Sequence, residues 1–99
     1  MDLSIILESL PEECSFLKDD ERFRRCVEME KDFGIFVNGI LVPSSAEQIL
    51  SLAALRLLRL IQCPQDTGEI LSGCQWDGSQ QYNDRILCAL TVLCGQSAD

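Results

Sequence analysis

The sequence predicts a mainly α fold, a small helical domain of four to five helices carrying one β-hairpin at about residues 35–42. Three observations lead there. Apolar residues recur at helical spacing over most of the chain, with cap-forming residues ahead of the runs. Asn38-Gly39 separates two β-rich triplets, Ile35-Phe36-Val37 and Ile40-Leu41-Val42, and an Asn-Gly pair so placed is the strongest short-range hairpin signal. A length of 99 residues allows one domain. That domain is taken as 1–95, with 96–99 as a frayed tail.

The elements follow in order. Asp2 is placed to cap a short helix over Leu3–Leu10, with apolar residues at 3, 6, 7 and 10. Ser9-Leu10-Pro11-Glu12 is a second start signal, since Ser can cap, Pro suits a first turn and Glu sits three residues on. A helix through about Lys18 is expected after it. Asp19 or Asp20 then caps a helix to Asp32. Alternatively the two helices run on as one; Phe16, Phe23 and Val27 lie on one helical stripe, and the dense charges of 18–32 read as a solvated face with i,i+4 pairs. Gly34 is placed to end it.

Ser44 with Glu47 reads as a capping box opening the longest helix, which should stop near Gln62 because a residue before proline disfavours α geometry. A helical turn at 66–72 and a loop from Gly73 to Gln80 follow, the loop holding the only tryptophan, Trp76. Tyr82 to Cys94 is the final amphipathic helix, with Tyr82, Ile86, Leu87, Ala89, Leu90, Leu93 and Cys94 on one face and Gly95 placed to end it.

The absences exclude much chemistry. With no histidine, Ser-His-Asp and Cys-His nucleophile arrangements are impossible. No glycine-rich phosphate loop is present. Glu12-Glu13 and Asp19-Asp20 are paired carboxylates, but such runs read as solvated helix faces. Asp66-Thr67-Gly68 resembles the active-site triplet of retroviral aspartic proteases over three residues. Its flanks, Cys63-Pro64-Gln65 and Glu69, depart from that family's pattern, so the triplet reads as a helix start with Asp66 as N-cap. The expectation is a non-enzyme with no cofactor and no catalytic or metal residue.

Six cysteines allow three readings: reduced apolar side chains, disulfides, or metal ligands. No close pair two to four residues apart suits a structural zinc site. The acidic start, and an apolar run that stops at Glu8, do not suit a secretory signal. Ser51, Arg56 and Arg59 interrupt the greasiest stretch, so no membrane span is expected. The chain is read as intracellular and cytoplasmic, with the nucleus as an alternative, and with reduced thiols.

Charge is uneven within the total of −8. Residues 1–33 hold ten acids against five bases, residues 34–63 one acid against two, and residues 64–99 five acids against one. The longest helix and its hairpin are thus a nearly uncharged island. On a helical wheel Gln48, Ser51, Arg56, Arg59 and Gln62 cluster on the arc expected to face outward, and Leu52 and Leu55 fall inside it. The remaining circumference is apolar, more than a small body readily covers.

The expected function is therefore a small acidic, non-catalytic interaction or regulatory protein that uses this helix face to bind another protein or itself, with a homodimer expected. Leu52 and Leu55 are its anchors and Arg56, Arg59, Gln48 and Gln62 its rim. One alternative is an acidic chaperone-like or viral accessory protein that masks a partner's basic or apolar surface, since size and charge resemble those of small secretion chaperones and viral accessory proteins. A second is a zinc- or disulfide-stabilised small domain. Nucleic acid is disfavoured, because the Arg22, Arg24, Arg25 cluster is flanked by acids.

Overall fold

The helix most nearly apolar all round takes the centre of the molecule. The computed structural model describes residues 2–33, 35–42, 45–63 and 67–96. Its described elements are α1 (Leu3–Glu8), a 3₁₀ helix (Glu12–Asp19), α2 (Glu21–Phe33), β1 (Ile35–Val37), β2 (Ile40–Val42), α3 (Ala46–Gln62), α4 (Thr67–Ile70) and α5 (Gln80–Gln96). The fold is mainly helical. α3 packs against α1, α2 and α5. Its Ile49, Leu50, Ala53, Ala54, Leu57 and Leu60 are buried, and the two alanines leave neighbouring backbones room to approach. One apolar cluster runs from Ile6 to Leu93 through these residues, each fully buried large aliphatic contributing about 1.5–3 kcal/mol.

Cap chemistry departs from the sequence expectation at several helix starts. Asp2 stands at the N-cap of α1 without a side-chain bond to its backbone; its Oδ2 instead accepts from Ser4 Oγ at 3.2 Å. Ser9 does not cap the next element, because its Oγ donates back to the Ile5 carbonyl at 3.4 Å. Pro11 takes the cap position, and the segment to Asp19 is 3₁₀ instead of α. For α3 the box is shifted by one residue from Ser44–Glu47. Ser45 Oγ accepts from the Gln48 N–H at 3.2 Å, and Gln48 Oε1 accepts from the Ser45 N–H at 3.0 Å. Ser44, Gly34 and Asp66, given cap or stop roles above, lie outside the described residues, as does the tail 97–99.

β1 and β2 pair antiparallel in the register Ile35 with Val42, Phe36 with Leu41 and Val37 with Ile40. Asn38 and Gly39 between them have φ of 53° and 80°, the left-handed geometry that an Asn-Gly turn supplies at least cost. The ladder is three residues a side, and the packed layers of the molecule are helices. α5 starts two residues before Tyr82, since Ser79 Oγ accepts from the Tyr82 N–H at 3.2 Å. It also runs past Gly95 to Gln96.

Candidate interaction surface

Gln48, Leu52, Leu55, Arg59 and Gln62 follow one another along α3 at spacings of 4, 3, 4 and 3 residues, one line on a helix. None of the five is fully buried: Leu52 and Leu55 are half-buried, and Gln48, Arg59 and Gln62 are exposed. α1, α2 and α5 pack against the buried residues of α3. Ser51, expected to face outward, is buried instead, because α5 lies over it and the Leu93 carbonyl accepts from Ser51 Oγ at 3.0 Å.

The two leucines open into a groove of about 520 Å³. α3 lines it with Leu52, Leu55, Arg56, Arg59 and Leu60; Glu30 of α2, Ile70 of α4 and Cys63 complete it. Arg56 Nε donates to Glu30 Oε1 across the groove wall, and the two side chains are 33% and 13% exposed. Arg56 is therefore held in place by its own chain. Arg59 makes no ion pair among the described residues, so its guanidinium stands at the mouth without a carboxylate. Gln48 is engaged by the capping box at the far end of the line, and Gln62, though exposed, does not line the groove.

A second constellation lies at the start of α2, and the sequence reading missed it. Asp20 and Arg22, read there as part of a solvated charged face, are 4% and 5% exposed. Asp20 is the N-cap: its Oδ1 accepts from the Phe23 N–H at 3.0 Å. Its Oδ2 accepts from the Tyr82 hydroxyl at 2.6 Å and lies 3.5 Å from Arg22 Nη2. The Arg22 guanidinium lies 4.7 Å from the ring centre of Trp76. Arg85 is stacked likewise on Phe16, at 3.9 Å, and Phe16 meets Tyr82 edge-on. Burial raises the Tyr82 pKa, and its bond to the Asp20 carboxylate raises it further. Arg25 is also consumed by the fold, donating to the carbonyls of Ile70 and Ser72 at 3.2 Å. The only sequence signal for this cluster was Asp20 as a helix cap; nothing local announces that Tyr82 and Trp76 return to it.

Cys14, Cys26 and Cys74 are buried thiols, whereas Cys63 and Cys88 are exposed. Burial pushes Cys26 up to about 12, with Arg56 opposing the shift and Glu30 adding to it. Among the described residues no three His, Cys, Asp or Glu side chains are grouped to hold a metal ion. Nor, among them, is any helix long and apolar enough to cross a membrane. Comparison with protein-family models, with curated proteins and with solved structures found no match.

Proposed function

We propose that this chain is a non-catalytic protein-interaction module whose working surface is the groove along α3. Its ligand is a short apolar helical segment that carries a carboxylate. The observation that carries this reading is the pairing of two half-buried leucines with a guanidinium, that of Arg59, which no carboxylate meets among the described residues, in the same groove. Leu52 and Leu55 offer apolar area for an anchor side chain, and water leaves both surfaces when the anchor seats. Arg59 offers a charge-assisted bond at the rim, which selects for an acid and speeds encounter more than it adds affinity. The −8 total charge keeps the unbound chain soluble despite the apolar groove. Its buried thiols suit a reducing, intracellular setting.

The test uses a fluorescein-labelled amphipathic helical peptide with leucines on one face and glutamates at its edges. Fluorescence anisotropy should show saturable binding to the wild-type chain. Leu52→Glu with Leu55→Glu should lower the affinity at least about 30-fold, as loss of hot-spot anchors does, while the far-UV circular dichroism is kept. Equal binding by the wild-type and doubly substituted chains would overturn the reading.

A further inference from the structure

We propose that the occupant of the α3 groove is α1 of a second copy of this chain, with Ile5 seated on Leu52 and Leu55 and a flanking carboxylate on Arg59. This rests on the groove being a docking surface and names what docks there.

Four large apolar side chains are exposed among the described residues: Ile5 at 54%, Ile40 at 68%, Trp76 at 50% and Val92 at 40%. They differ in their surroundings. Ile5 alone stands midway between two exposed carboxylates, Asp2 and Glu8, three residues away on either side. Ile40 lies in an uncharged hairpin, and no acid falls within four residues of Val92. Trp76 is already engaged by Arg22.

The spacing matches the groove. On a helix, three residues from Ile5 to Glu8 is a rise of about 4.5 Å, and four residues from Leu55 to Arg59 is about 6 Å; Asp2 stands just ahead of the helix, at its N-cap. The remaining difference is within the reach of flexible Arg and Glu side chains. Because Asp2-x-x-Ile5-x-x-Glu8 carries an acid at each end, a carboxylate meets Arg59 whichever way α1 lies. α1 presents this face firmly, because Ile6 and Leu7 on its other side are buried in the core.

Charge separates this arrangement from its rival within the same chain. Two α3 grooves laid antiparallel, leucine on leucine, would bring Arg59 against Gln48 of the second copy, with no carboxylate on that line. Docking α1 instead joins the acidic stretch 1–33 to the only stretch with more bases than acids, 34–63. Since α1 packs on α3 within its own body, ligand and groove flank one helix. A two-fold can then close the pair with two such contacts.

The experiment is analytical ultracentrifugation of the full chain and its variants, with folding checked by circular dichroism. The wild type should dimerise. Ile5→Glu and Leu52→Glu should each weaken the dimer at least about 30-fold. Arg59→Glu should weaken it about tenfold through like-charge contact. Adding Asp2→Lys with Glu8→Lys to Arg59→Glu should restore it. A dimer lost with Leu52→Glu but indifferent to Ile5→Glu would overturn α1 as the occupant and leave the groove standing. A dimer indifferent to both would show that the pair forms elsewhere and would overturn this inference. A chain that stays monomeric up to millimolar concentration would overturn it too, and the labelled-peptide experiment would then judge the groove on its own.

Discussion

Two arginine-bearing regions of this molecule meet opposite fates. At the start of α2, Arg22 is enclosed: Asp20 faces its guanidinium, Trp76 covers it, and the whole residue is 5% exposed. On α3, Arg59 is exposed, four residues beyond a half-buried leucine. Sequence context points the other way, since Arg22 sits in a charged run between Glu21 and Phe23, and Arg59 in an apolar one between Leu58 and Leu60. Packing separates them. The first charge is used by the fold to fix how the loop at 74–79 and α5 return to α2; the second makes no ion pair among the described residues.

The largest expected effect breaks the enclosed region. Asp20→Ala removes the N-cap of α2, the acceptor for Tyr82 and the counter-charge of Arg22 together. Removing one partner of a buried pair costs about 3–5 kcal/mol, because the other charge is left buried and unmatched. Urea denaturation should show this loss. Trp76 emission should change as well, since its ring lies over the guanidinium that loses its partner. A loss below about 1 kcal/mol would mean that the cluster holds nothing together.

A second contrast lies within α3. Leu57 is fully buried, whereas Leu52 opens into the groove. Leu57→Ala should cost about 2–5 kcal/mol, the range for a buried leucine that leaves a cavity. Leu52→Ala should cost less than half as much as Leu57→Ala, because much of its surface already meets water. Equal costs in denaturant melts would mean that the groove closes in solution.

Alkaline pH should loosen the buried regions. Cys26 and Tyr82 both hold their protons in the folded chain above their ordinary values of 9.0 and 10.0. Above those values the unfolded chain has lost protons that the folded chain still binds, so stability falls as pH rises. Below pH 9 the contribution of Cys26 is fully present; it is lost between there and about 12. The slope from Cys26 should not exceed about 1.4 kcal/mol per pH unit. Urea midpoints at pH 8, 9.5 and 10.5 should fall in that order, and Cys26→Ala should flatten the trend. A flat profile in the wild type would show that the thiol is solvated.

The helices were legible because their causes are local. The period of Ile49, Leu50, Ala53, Leu57 and Leu60 identifies a helix that must be covered, and the structure covers those positions. The cap of α3 was misread by one residue because Ser44 and Ser45 are adjacent and either can begin a box; Gln48 closes the one that forms. Ser51 was misread because polarity was taken for exposure, while a hydroxyl can be buried when a carbonyl such as that of Leu93 accepts from it. Asp20, Arg22, Trp76 and Tyr82 were illegible as a group because up to 62 residues of chain separate members that touch. Leu52, Leu55, Arg56 and Arg59 were placed by one helical wheel, yet Glu30, which holds Arg56, lies on another helix and leaves no trace in that wheel.

The smallest expected effect sharpens the comparison most. Arg59→Ala removes a cation that no described carboxylate meets, from an exposed position. Substitutions at such positions stay within about 0.5 kcal/mol of the parent, and the urea midpoint should barely move. Its small change in stability and the far larger loss after Asp20→Ala would come from two charged side chains of one chain, one exposed and one enclosed. If Arg59→Ala instead destabilised by more than about 1 kcal/mol, the guanidinium would have a partner within its own fold in solution. The mouth of the groove would then be closed by the chain itself, and Arg59 would resemble Arg22 after all.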